Sequence, residues 1–210
     1  MNDQNSLEQG LQTLRLVAER GDWNSSRDAT EALLLHLPTS HAVRLTRDFV
    51  ARRLTAFERH EPGVRWPRDL LEVVTEEGSA SSERSWSFGD NFPGPGSANF
   101  GNAVESLWIA NLRREDARQC VAELVDALSG AIMAEGTEHW GARHPKEWAL
   151  WYQLAWSGDN DRRKTEIVIA MARDPDAKRL ERAGWLEVAD QLEAALRESA
   201  GSSGGSERHT

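Results

Sequence analysis

The chain has 210 residues, with 34 acidic against 25 basic side chains and a formal net charge of −9. A negative surface repels phosphate groups, so we expect neither a nucleic-acid partner nor an anionic membrane. Cys120 is the only cysteine, which excludes an intrachain disulfide and a zinc site built from several thiolates. No apolar stretch reaches the roughly 18 residues that cross a bilayer, and the first residues lack a signal-peptide core. These features predict a cytoplasmic protein.

Residues 1–75 have the apolar spacing of helices. Leu7, Leu11 and Leu14 recur at intervals of four and three, which places them on one helix face. The same reasoning predicts a longer helix over about 40–60. We therefore expect an N-terminal helical part.

Residues 76–99 interrupt this pattern. Gly, Pro and Ser are concentrated there, which predicts a loop rather than a regular element. Three large aromatic residues lie within it, namely Trp86, Phe88 and Phe92. These rings either fill the protein's own core or form a recognition surface, and the sequence leaves both interpretations open.

Helical spacing returns over residues 100–199 and is clearest at Cys120, Leu124 and Leu128. Residues 200–210 contain no core-forming side chain, so we expect a disordered tail. The predicted fold is all-α, with eight or nine helices arranged as antiparallel hairpins in a bundle or short solenoid, and with one long irregular loop.

Two stretches, residues 7–38 and 146–175, repeat one spacing. Each contains a Gly-Asp pair, at Gly21 and Gly158, and a proline 17 positions after the glycine. This pattern resembles the tetratricopeptide repeat, a helix–turn–helix unit of about 34 residues. The resemblance implies a helical hairpin in each stretch.

Few residues indicate catalysis. Glu138, His139 and His144 have the chemistry of metal ligands, but histidines five positions apart do not share a helix face. A loop without a metal is the alternative interpretation. Cys120 lies on the apolar face of its helix, which is typical of a core residue and not of a nucleophile. Phosphate-binding and dinucleotide-binding motifs are absent, so no cofactor is expected.

Nine tryptophans are the most unusual feature of the composition. Tryptophan is favoured where proteins bind one another, because it buries a large area and keeps one polar donor. Outside the helices predicted to pack, the candidate partner contacts are Trp86, Phe88, Phe92 and Trp140.

The leading hypothesis is a non-enzymatic protein–protein interaction module of the adaptor, chaperone or toxin-neutralising type. Its acidic, Trp-rich helical surface favours a basic protein partner. The alternative is a small enzyme or ligand-binding protein, with a pocket between the loop at 86–100 and the segment His139–His144.

A helical DNA-binding regulator is the third hypothesis. It rests on a local basic stretch formed by Arg52, Arg53, Arg59, Arg65 and Arg68. Acidic residues interleave with these arginines, which favours a solvated face of salt bridges over a DNA-binding surface.

Overall fold

The computed structural model describes residues 3–74, 92–156 and 161–203. These residues form ten helices and no strand, which confirms the all-α prediction. In chain order the helices are α1 Asp3–Arg20, α2 Trp23–Leu34, α3 Thr39–Ala51, α4 Leu54–His60, α5 Trp66–Val73, α6 Ser97–Leu112, α7 Ala117–Arg143, α8 Pro145–Trp156, α9 Arg162–Arg173 and α10 Pro175–Ser203.

Helix α7 is the centre of the molecule. It is 27 residues long and begins at Asp116, whose carboxylate accepts the backbone N–H groups of Arg118 and Gln119. It packs against α2, α3, α6, α8 and α10. A Cβ at Gly130 would lie 3.0 Å from the Asn99 carbonyl oxygen, so the small residue lets α6 and α7 approach closely. A single helix therefore supports elements from both ends of the chain.

The main hydrophobic core draws on both predicted helical parts. Phe49 and Leu70 from the N-terminal part are buried in the same cluster as Leu107, Leu128 and Leu192 from the C-terminal part. The parts thus share apolar contacts across α7, α6 and α10. None of the helices in the described residues is long and apolar enough to span a bilayer.

The prediction of one helix over 40–60 is wrong, because the chain breaks into α3 and α4 at Arg52 and Arg53. The Arg53 guanidinium donates from Nη1 to the Phe49 carbonyl oxygen at 3.1 Å and lies 3.8 Å from the centre of the Phe49 ring. These contacts satisfy a carbonyl at the end of α3 and stabilise the break. The predicted start of a disordered tail at residue 200 is wrong, since α10 continues to Ser203; residues 204–210 lie outside the described residues.

Helices α8 and α9 form a small cluster apart from the main core. Its buried members are Trp140, Trp148 and Ile167. The Trp148 ring stacks on Trp151 with 4.8 Å between centroids. Its Nε1–H donates to the Pro93 carbonyl oxygen at 2.7 Å. This cluster attaches α8 to α7 and to the end of the predicted loop.

Candidate functional site

The predicted aromatic loop falls only partly within the described residues. Trp86 and Phe88 lie outside them, and their role in partner binding stays a prediction. Phe92 is buried, with its ring 5.4 Å edge-on from Phe57. A Cβ at Gly101 would come within 2.9 Å of the Phe92 ring, so that glycine makes room for it. Phe92 therefore fills the core, one of the two roles left open for the loop.

The second predicted contact, Trp140, is also buried. Its ring stacks on His144 at 4.7 Å, where His144 follows the last residue of α7. His139 lies 3.9 Å from the Asp176 carboxylate, and Glu138 pairs with other residues. In the part of the chain that the structure describes, no three His, Cys, Asp or Glu side chains are placed to hold a metal ion.

Helix α9 has an unusually exposed apolar face. It begins at Asp161, whose carboxylate accepts the Arg163 backbone N–H at 2.8 Å. Of its twelve residues, all of them described, Ile167 alone is buried. Val168 and Ile169 are 43% and 42% exposed. Most of the apolar side chains of α9 are therefore at least partly exposed to solvent.

A shallow groove runs beside this face, between α7, α9 and α10, with a volume of about 180 Å³. We call it the α9 groove. Met133 of α7 is 41% exposed at its wall. Its other lining residues include Thr137, Trp140, Val168, Met171 and Glu181. Trp140, although buried, is thus one wall of a surface groove.

Glu181 is the acidic group of this groove. Burial raises the pKa of its carboxyl, while Lys178, one turn earlier in α10, lowers it by a smaller amount. A carboxylate held against apolar side chains is poorly hydrated and gains from a basic group placed next to it. The groove can therefore hold an apolar side chain and one positive charge together.

Sequence reasoning missed Val168, Ile169 and Glu181. A usable signal was present, because residues 167–172 are six consecutive apolar residues. An amphipathic helix buries one stripe, so such a run leaves some members on the outer face. Glu181 carried no comparable signal, since its position depends on how α10 lies against α9.

No protein-family model, curated protein or solved structure matches this chain. The resemblance to the tetratricopeptide repeat, based on residues 7–38 and 146–175, therefore stays a prediction.

Proposed function

We propose that this protein is a non-enzymatic interaction module that binds a partner protein at the α9 groove. One observation carries the proposal, namely that Val168 of α9 and Met133 of α7 are exposed at the same groove, with Ile169 exposed next to Val168 in the chain. Among the described residues these three make up half of the exposed large apolar side chains. The others, Leu16, Leu35 and Leu112, belong to three different segments. Apolar exposure that gathers at one place is typical of a binding surface.

The shape of the groove favours a helical partner segment. Its walls are three helices, and an amphipathic helix that inserts its apolar face is a recurring way to fill such a surface. Burying the exposed parts of Val168 and Met133 in the groove would contribute roughly 1 kcal/mol for each side chain. These contacts supply affinity without requiring any catalytic group.

The partner's charge follows from Glu181. A lysine or arginine on the inserted helix would pair with this carboxylate and offset its loss of hydration. A basic partner was also expected from the net charge of −9. Such a contact would serve an adaptor, a chaperone or a toxin-neutralising protein equally well.

Site-specific photo-crosslinking tests the proposal. A photoreactive residue replaces Val168 in the protein produced in its source cells, and the matched control carries it at Leu16, which is 47% exposed on α1. We expect a discrete adduct from position 168 and none from position 16. Peptide mapping should place the adduct on a helical segment that carries a lysine or arginine, and Glu181→Gln should reduce its yield.

Three outcomes would contradict the proposal. They are the absence of any adduct at 168, the same adducts at both positions, and an adduct formed only with a second copy of this chain. Circular dichroism of each variant checks that the helices are intact.

A further inference from the structure

A second concave region shares no lining residue with the α9 groove, although both border α7. It is a cavity of about 330 Å³ between α4, α7, α10 and the turn that leads into α6. The predicted alternative pocket lay between the loop at 86–100 and His139–His144. The described end of that loop does approach this segment, since a Cβ at Gly141 would lie 2.4 Å from Pro95. The cavity itself is lined on α7 by Glu135 and Glu138. This volume is at the lower end of the range for small-molecule sites.

Glycine fixes the wall of this cavity. Gly96 has a φ of +79°, and a Cβ there would lie 2.3 Å from the Ala134 carbonyl oxygen. Only a residue without a side chain fits this left-handed turn against α7. The turn therefore holds Ser97 and Phe100 in place at the start of α6.

The inner surface of the cavity is aromatic. Phe57 and Phe100 are both buried, with 5.1 Å between their ring centroids. Ser97 also lines the cavity, and its hydroxyl is buried with no hydrogen-bond partner among the described residues. A buried hydroxyl without a partner is unfavourable, so a polar group of a ligand would stabilise it.

Two of the three carboxylates in the wall are already neutralised. Arg53 donates to Glu135 at 3.1 Å and to Glu187 at 2.9 Å. Arg52 also pairs with Glu187, at 2.8 Å. Both guanidinium groups are paired with these two carboxylates, so an anionic ligand would have to compete with Glu135 and Glu187 for them.

Glu138 is the third carboxylate and is only 19% exposed. Arg59 lies 3.3 Å away but is 68% exposed, and a pair with so exposed a partner is weakened by water. The other partner of Glu138 is the His60 ring, at 3.1 Å, and this ring is charged only when protonated. Three carboxylates against two guanidinium groups leave the wall with a formal charge of −1.

We infer that this cavity binds a small organic amine. The ammonium group pairs with Glu138, the apolar part lies against Phe57 and Phe100, and the Ser97 hydroxyl accepts a hydrogen bond from the bound ligand. Aromatic faces also attract cations, which adds to the preference for an ammonium group. This binding goes beyond partner recognition at the α9 groove and does not depend on it.

Titration with 2-phenylethylamine, followed by protein NMR, tests the inference. The neutral 2-phenylethanol and the anionic 3-phenylpropanoate are the comparison ligands, since they keep the ring and change the charge. We expect saturable shifts at Phe57 and Phe100 with the amine, and an affinity about tenfold or more above that of the alcohol. Equal or tighter binding of the alcohol or the carboxylate, or no saturable shift with the amine, would overturn the inference.

Three variants locate the site. Glu138→Gln should weaken amine binding about tenfold or more, whereas Glu123→Gln, at a carboxylate of 18% exposure paired with Arg113, should leave it unchanged. Ala56→Trp, which fills the cavity from α4 and keeps every charge, should abolish binding. Unchanged amine binding in Glu138→Gln would remove the proposed ion pair, and unchanged binding in Ala56→Trp would place the amine outside the cavity. Either result would overturn the inference.

Discussion

The two helix pairs that share one sequence spacing, α1–α2 and α8–α9, have different surroundings. The first pair places Leu14 and Leu33 in the main core and packs against α7 and α10. The second pair contributes Trp148 and Ile167 to a separate small cluster. Two helix pairs with the same spacing between glycine and proline therefore differ in position: one packs in the main core, and the other packs in a separate small cluster.

Local chemistry does not explain the difference. Asp22 accepts the Ser25 backbone N–H at 3.1 Å at the start of α2, and Asp161 accepts that of Arg163 at the start of α9. Hydrogen bonds from Ser25 lower the pKa of the Asp22 carboxyl, and hydrogen bonds from Arg163 lower the pKa of the Asp161 carboxyl. Both helices are thus capped in the same way, while long-range packing determines which one is buried.

Truncating one buried side chain in each pair gives the largest expected contrast. Leu14→Ala removes a fully buried side chain from the main core and should cost about 2 to 5 kcal/mol of unfolding free energy. Ile167→Ala should fall at the low end of that range, at about 2 kcal/mol, because its small cluster can relax around the cavity. Urea denaturation followed by circular dichroism measures both. Equal losses would show that α8–α9 is as firmly packed as α1–α2.

The main core should also respond to alkaline pH. Burial raises the pKa of the Cys120 thiol from 9.0 to about 11. The folded state thus holds this proton more tightly, and the resulting stability is complete below pH 9 and lost as pH rises through 11. The loss should reach about 2 to 3 kcal/mol.

Urea denaturation at pH 8 and at pH 11 checks this prediction. Cys120→Ala is the control, and its stability should fall less over the same interval. An identical fall in the variant would assign the alkaline loss to other groups.

A substitution at Gly21, in the turn between α1 and α2, should have a smaller effect on the free energy of unfolding. Gly21 has a φ of +70°, and the nearest atoms to a Cβ there belong to Arg182 at 3.8 Å. Space is sufficient, so Gly21→Ala should cost about 1 to 2 kcal/mol through its left-handed backbone alone.

Gly63→Ala is the matched control, because nothing lies within 4 Å of a Cβ at that position. Its backbone φ is not positive, so the melting temperature should hardly change. Equal melting temperatures for Gly21→Ala and Gly63→Ala would show that the left-handed backbone at Gly21 does not contribute to stability.

Sequence reasoning predicted the helical class and the apolar faces of α1 and α7, because these depend on periodicity within one element. It also placed Cys120 in the core, and the thiol is buried. It named Phe92 and Trp140 as partner contacts, and both rings are buried. Whether an aromatic side chain faces solvent depends on neighbours that the local sequence does not specify.

The sequence by itself determined the helical class of the described residues, through apolar spacing within each element. Only the tertiary structure decided that the chain breaks at Arg53, that α9 leaves Val168 exposed, and that Glu138 lines a cavity. Arg53 pairs with Glu135 and Glu187, which lie 82 and 134 positions further along the chain. Contacts over such separations form only when the helices pack together, so hydrophobic periodicity within a helix does not reveal them.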